Sequence, residues 1–423
     1  MRTQRQWRRL LVVITTSVLI GVAVLAAPAA ERAVETVTVL MPAPFADATA
    51  ELVQQFNRSH PRIRLAVTRG PMDTEAVSDL AISSLLLGSS PYDLLLMDVT
   101  WTPKYAAAGW LEPLEPWLGD DALADLAPGA ELGNAFSGHL WRFPLVADMG
   151  LLYWRTDLMA APPRTPAELV AISQTLQRQG KVRWGYVWQG RQYEGLSCVV
   201  LEMLRGFGGQ WLEAGRPELN SAQARNAIGW LRQLVVSGVT PQTVTNMNEP
   251  DALQSFAAGD AAFMRNWPYA WAELNRPGSA LAGRVGITTM VSEPGLPAAA
   301  TQGSWGLSLL AGSSHRQAAI TALRFLTSAE AQSQLNRQWG YTPTRRSVFR
   351  DPELIAANPV LPELERALAV AVLRPLTPVY AQLSDLLYRE VNTSLGGGIG
   401  VEAGLQQLQA RSEEVLRSTG AAS

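Results

Sequence analysis

The 423-residue chain carries 35 Lys+Arg against 37 Asp+Glu, 14 tryptophans and a single cysteine. So mild a charge balance gives no general attraction for nucleic acid or an anionic membrane, and one cysteine excludes an intramolecular disulfide or a Cys-based zinc site. The length exceeds what one hydrophobic core usually holds, so two lobes are expected.

The first thirty residues read as an export signal. Arg2, Arg5, Arg8 and Arg9 form a basic start, Leu10 to Leu25 is apolar apart from Thr15, Thr16 and Ser17, and Ala26-Ala27-Pro28-Ala29-Ala30 offers the small residues of a cleavage site. The apolar stretch is also long enough for an uncleaved membrane anchor. Cleavage after residue 30 removes four arginines and no acids, leaving 31 basic against 37 acidic residues. No cysteine follows the signal, which excludes N-terminal lipid attachment and suits a periplasmic location.

Thr36 to Leu40 reads as a buried strand, followed by a helix with Asp47 near its start and Leu52, Val53 and Phe56 on one face. Ile63 to Val67 is a second strand. A helix over 76–87 leads to an apolar strand, Asp93 to Met97, that ends at Asp98. Strands alternating with amphipathic helices predict a parallel α/β sheet, and in such sheets ligands bind beyond the carboxyl ends of strands, where Asp98 sits. Further on, Thr165-Pro166-Ala167-Glu168 is a helix start. Ser221 opens another helix, stopped by Gly238, and Ser313 or Ser314 is expected to cap a helix through Phe325. The stretch after Pro352 is nearly all helical in pattern. Gly396-Gly397-Gly398 is a turn without the spacing of a phosphate loop. No low-complexity linker separates two halves, so the chain is expected to cross between lobes through short ordered segments that form a hinge.

Catalytic patterns are scarce. His60, His139 and His315 lie far apart in contexts that favour solvated surface roles, and Cys198 sits in an apolar helical pattern as a buried thiol. Paired carboxylates could serve a secreted glycoside hydrolase, and Glu112, Glu115, Asp120, Asp121 and Asp125 are close in sequence. They fall in a Pro- and Gly-broken segment where exposed charge is the default.

Binding signals recur. Phe263-Met264-Arg265-Asn266-Trp267-Pro268-Tyr269-Ala270-Trp271 crowds three rings after an apolar strand and beside Arg265 and Asn266, a mixture that suits the apolar faces and polar edges of a sugar. Asp98 to Trp101 sets a carboxylate and an indole at a strand end, where a helix N-cap Asp with a packed Trp is the competing reading. Asp148 lies inside the apolar run Phe143–Trp154 and must find a partner, either ligand hydroxyls or a structural Arg. Trp188 to Gly195 again gathers rings, an amide and an acid, and Gly303-Ser304-Trp305-Gly306 flanks an indole with small residues. Asp98, Asp148, Trp267 and Trp305 repeat one theme, a polar group beside an open ring, with Trp267 as the leading ring and Tyr269 and Trp271 packed behind it.

At these residues the chain resembles the family 1 extracellular solute-binding proteins of ABC importers, nearest the branch that binds trehalose and maltose. The matching pieces run in family order across nearly the whole mature chain: Asp93–Trp101 with Gly109–Leu114, Pro144–Leu158, Trp188–Gly195 with Gly208-Gly209, Phe256 to Pro268, Gly303–Leu307, Gly340–Arg345 and Arg374–Tyr380. The resemblance implies an α/β fold of two lobes with a ligand cleft and a multi-strand hinge. The N-lobe would comprise 34–147 and 290–326, and the C-lobe 148–289 and 327–423. It implies sugar contacts at Asp98, Asp148, Trp267, Trp305 and Arg374, with Gly303 and Ser304 holding backbone near the ligand and Gln189, Tyr193 and Glu194 as further contacts. It implies no reaction, no cofactor and no metal. The protein would act as a monomer, without nucleic acid, delivering a disaccharide or glycoside such as trehalose, maltose, sucrose or glucosylglycerol to ABC permease subunits. The chain departs from the disaccharide-binding relatives at three points. Their acid near the first helix start is met by Phe45 and then Asp47, their arginine in the second helix by Val77, and a tyrosine two residues before the matched aspartate by Val146.

Overall fold

The computed structural model describes residues 34–88, 90–119 and 122–419. The expected export signal at 1–30, and Asp120 and Asp121, lie outside them. Strands β1 (Glu35–Met41), β2 (Ile63–Arg69) and β3 (Leu94–Asp98) alternate with helices α1 (Ala43–Ala48), α2 (Ala50–Ser59) and α3 (Thr74–Leu86), and α4 (Thr102–Ala107) follows β3. β1 runs parallel to both β2 and β3. All five residues of β3 are buried, as the continuous apolar run of a central parallel strand requires.

The chain then enters a second sheet. Strand β4 (Phe143–Met149) belongs to the first sheet, and after Gly150 the chain continues as β5 (Leu151–Arg155) of the second. β6 (Trp184–Val187), β7 (Ala261–Asn266) and β8 (Val285–Thr288) complete that sheet in the order β8-β5-β7-β6, with helices α5 (Pro166–Arg178), α6 (Glu194–Gly206), α7 (Ala222–Val236), α8 (Glu249–Ala257) and α9 (Tyr269–Asn275) between them. Thr165 caps α5 by accepting from the Glu168 N–H, and Ser221 caps α7 through the Ala224 N–H, as their spacing predicts. The long strand β9 (Ala300–Leu309) returns to the first sheet, antiparallel to β3 and β4, and β10 (Ala371–Val372) adds to its other end. The two lobes are therefore joined at Gly150, between β8 and β9, and again beyond β10.

Helices α10 (Arg316–Leu326), α11 (Ala329–Trp339) and α12 (Leu361–Ala369) precede the last pair, α13 (Tyr380–Gly396) and α14 (Val401–Ser418). α10 packs on β1 and β9, α11 on α10 and α1, and α12 on β4 and β9, whereas α13 and α14 pack on α6 and α7. The stretch expected as second-lobe 327–423 is thus split by its packing: 329–369 rests mostly on first-lobe elements and 380–418 on the second. Neither Ser313 nor Ser314 caps α10, whose first residue follows His315. The Ser313 hydroxyl instead donates to Asp93 and accepts from the His315 N–H. His139 is exposed, but His60 stacks on Phe56 and His315 Nδ1 lies 3.1 Å from Asp93.

Two of the lobe connections meet at one buried charge pair. Arg265, at the end of β7, pairs with Glu202 of α6 at 2.6 Å, and neither side chain is exposed at all. The same Glu202 carboxylate accepts from the Thr301 N–H at the start of β9, and Thr301 in turn accepts from the Gly150 N–H. A Cβ at Gly150 would overlap both Glu202 and Arg265. Gly150→Ala is expected to cost about 1–3 kcal/mol by overpacking, read as a lower urea midpoint with an unchanged slope. Wild-type stability in this variant would show that Gly150 does not lie against the pair.

Candidate functional site

The alternation of β9 sorts the site residues. In an extended strand, neighbours point to opposite faces. Gly303 and Trp305 therefore share one face and Ser304 takes the other. Trp305 is registered opposite Asp98 of β3, and Gly303 opposite Asp148 of β4. One sheet face thus collects Asp98, Trp305, Gly303 and Asp148 from three strands. The half-buried Trp267 of the second lobe lies over Gly303, so closely that a Cβ there would be 2.8 Å from the indole. Glycine at 303 admits that approach.

Aromatic rings continue this wall along the first lobe. Tyr341 stacks on Phe45 at 5.0 Å, Phe45 meets Trp305 at 5.2 Å, Trp305 meets Trp101 edge-on at 5.5 Å, and Trp101 stacks with Tyr105 at 6.0 Å. Phe45 is buried and joins the wall as a ring. Val77 and Val146 are buried apolar residues.

Asp98 is the cap that the competing reading expected, and it is an ion-pair partner as well. It caps the short 3-10 turn Val99–Trp101 by accepting from the Thr100 N–H and hydroxyl, and it accepts from Arg374 Nη2 at 3.0 and 3.1 Å. Arg374 is nearly fully buried. Its Nη1 donates to Glu194 at 2.7 Å, and Glu194 also accepts from Tyr380 and Ser384. Asp98 comes from the first lobe, Glu194 from the second, and the guanidinium ties them together.

Asp148 found a partner that neither expectation named. It accepts from the Thr342 N–H at 3.0 Å and forms no ion pair among the described residues. Burial pushes its carboxyl up to about 6, against the opposing effect of the Thr342 hydrogen bonds.

Several expected ligand contacts are turned away from this face. Gln189 is fully buried; its amide donates to the Arg265 carbonyl and accepts from Arg265 Nη1, so it braces the hinge pair. Ser304 faces the far side of the sheet, donating to the Val146 carbonyl and accepting from Arg142. Tyr193 donates to Glu249, the same carboxylate that receives the Trp267 indole N–H, so it positions Trp267 through Glu249. Asp47 is an exposed partner of Arg69, whose guanidinium holds its carboxyl below the usual range. Arg265 and Asn266, read beside Trp267 as cleft groups, are fully buried, and the Arg265 guanidinium lies 4.0 Å from the Trp267 ring centroid. Of the carboxylates considered for hydrolysis, the three among the described residues have partners of their own. Glu112 pairs with Arg316, Glu115 accepts from the Leu140 N–H, and Asp125 accepts from Ser347. Among the described residues no cluster of His, Cys, Asp and Glu could hold a metal ion, and no helix is long and apolar enough to cross a membrane.

The sequence reading missed Glu75, Tyr105 and Tyr388, which with Asp98, Glu194 and Arg374 line a cavity of about 120 Å³ between α3 and α13. No local motif marks them. It also missed Arg142, a fully buried guanidinium that donates to the Met97 carbonyl, Asn134 and Ser304 beneath the Asp98 strand. Burial lowers its pKa to about 9, with the Asp98 charge opposing.

Comparison with known proteins gives a consistent answer. A family model described as bacterial extracellular solute-binding protein matches residues 42–333. A probable ABC transporter-binding protein of Deinococcus radiodurans is 33% identical over 341 residues, covering 74% of this chain and 78% of that protein. Among solved structures, maltose-bound MalE3 of T. maritima superposes with a TM-score of 0.84 at 31% identity, covering 90% of this chain and 100% of the other. A ribitol-bound ABC transporter solute-binding protein of Agrobacterium radiobacter K84 has a TM-score of 0.82 at 26% identity, covering 91% and 99%.

The raised Asp148 carboxyl has a measurable sign. Between about pH 4, where an unfolded aspartate titrates, and about 6, the folded chain holds a proton that the unfolded chain releases. Stability from this group therefore grows as pH falls through 6 and is complete below about 4, reaching roughly 2–3 kcal/mol. Asp148→Asn should remove that dependence, seen as the difference between wild-type and variant urea denaturation from pH 7 to pH 4. Parallel pH profiles would show that Asp148 is not buried without a counter-charge.

Proposed function

The chain belongs to the bacterial extracellular solute-binding proteins, and we propose that it captures a disaccharide or related glycoside between its lobes and delivers it to the membrane subunits of an ABC transporter. The observation that carries the sugar is the shared sheet face: Asp98 and Asp148 flank Trp305 and Gly303, with Trp267 opposite. Indoles cover the apolar faces of a pyranose, and carboxylates accept from its hydroxyls in charge-assisted hydrogen bonds, which are stronger than neutral ones. The maltose and ribitol complexes of the two similar structures support a polyhydroxylated ligand.

Binding alone completes the task. A ligand that touches Trp305 and Asp98 of one lobe and Trp267 of the other stabilises the form in which the lobes are close, by its differential affinity for that form. The permease reads the surface so formed. No bond is made or broken, so the proposal requires that sugars mixed with the protein are recovered unchanged. Export to the periplasm and action as a monomer complete the reading.

A thermal-shift and calorimetric screen over trehalose, maltose, sucrose, glucosylglycerol and ribitol tests it, because a ligand bound to the folded state raises the melting temperature by mass action. At least one sugar should raise it. Trp267→Ala and Trp305→Ala should each weaken that ligand by about tenfold or more. A flat response to every sugar and polyol, or turnover of any of them, would remove the proposal.

A further inference from the structure

The cavity between α3 and α13 differs in chemistry from the Trp267–Trp305 face beside it. Glu75 and Asp79 of α3, Asp98 and Glu194 bring four carboxylates to its lining, against the two cations Lys104 and Arg374. Arg374 is already shared between Asp98 and Glu194. Neither Glu75 nor Asp79 forms an ion pair among the described residues. Instead, Glu75 reaches across the lobes to the Glu194 N–H at 3.4 Å. Glu75 and Asp79, both exposed, thus bring to the cavity two carboxylates that no cation pairs with among the described residues.

Two further features point to a ligand there. Arg374, only 2% exposed, lines this cavity, and its Nε–H has no hydrogen-bond partner among the described residues; an unmet buried donor is costly unless something accepts from it. Trp101 and Tyr105 come from the first lobe and Tyr380 and Tyr388 from the second, so rings border the cavity from both sides, and ring faces attract cations as well as sugar C–H surfaces. At about 120 Å³ the cavity is smaller than the roughly 300–1,000 Å³ of pockets that take a whole drug-sized ligand. It has room for one end of a ligand whose remainder lies elsewhere in the cleft.

We infer that this cavity receives the amine-bearing end of an amino-substituted sugar, its ammonium group facing Glu75 and Asp79, its oxygens accepting from Arg374, and its other unit over Trp305. This rests on the reading of the cleft as a sugar site and narrows the ligand class within it. The Glu75 carboxyl is consistent with the placement: partial burial, together with Asp73 and Glu194 nearby, raises it to about 7, so it lacks the cation that would hold it ionised. A neutral disaccharide would leave Glu75 and Asp79 without a cation, while an ammonium group supplies one.

The test is calorimetry with matched pairs of disaccharides, glucosyl-glucose against its 2-amino-2-deoxy counterpart, in α-1,1, α-1,4 and β-1,4 linkage. In at least one pair the amine should bind the wild-type protein about tenfold more tightly, as expected for an ammonium with two partly exposed carboxylates and ring faces. In Glu75→Gln with Asp79→Asn that preference should vanish while the neutral sugar keeps its affinity and the unliganded melting temperature is retained. Amines binding no better than their neutral partners in every pair, or a preference that survives the double substitution, would overturn the inference and leave the sugar site standing. Absence of binding by all six sugars would also overturn the inference, while the wider screen of sugars and polyols decides the sugar reading separately.

Discussion

Two of the connections between the lobes, at Gly150 and at Thr301, meet on one fully buried ion pair. Burying Glu202 and Arg265 together costs desolvation that their attraction alone repays only with good geometry and further hydrogen bonds. Those bonds are present. Arg265 reaches Glu202 with two nitrogens and Gln189 with a third, and Glu202 takes the N–H at the start of β9. Removing either partner would strand a charge in the interior, so the pair acts as a fixed point to which Gly150 and Thr301 are tied. The ligand-facing wall begins within a few residues of that point, at Asp148 and Gly303. Its geometry is inherited from the hinge rather than set by loops.

The same economy explains why few of the site's polar groups are free. Asp98 is a turn cap, an ion-pair partner and a candidate ligand acceptor at once. Arg374 bridges lobes before it can touch anything else. Tyr193, Glu249 and Trp267 form a chain in which the indole is held by its N–H and by the cation beneath its ring. Such fixing removes the rotamer entropy that a loose tryptophan would lose on meeting a ligand.

The alternation of strands and helices, the caps at Thr165 and Ser221, and the position of Asp98 beyond a buried strand were all legible from local pattern. So was the ordered set of motifs that identified the family. Which face a polar residue takes was not. Ser304 and Trp305 are neighbours in one glycine-flanked motif, yet strand parity and the partner Arg142 send them in opposite directions. Gln189 and Arg265 look like cleft residues beside aromatic rings, and only the distant Glu202 shows them to be interior. Glu75 belongs to a helix with no motif, and its place opposite Glu194 arises from chain crossings between the lobes. In each case the deciding contact spans some sixty residues or more, and sequence periodicity carries no information at that range.

Strand β9 sits between β3 and β4, the middle of a sheet whose first strand begins at Glu35. About 150 residues, from Leu151 to Ala299, intervene between β4 and β9. As the chain emerges from its N-terminus, β1, β2 and β3 can pair, but β4 has no neighbour until Ala300–Leu309 arrives. Non-local pairings of this kind are slow to form and leave apolar edges exposed while they wait. The first lobe is thus the earliest to start folding and among the last to finish. A chain pulled through a narrow channel from its N-terminus would remain threadable for most of its length, and it would lock only as its final third came through.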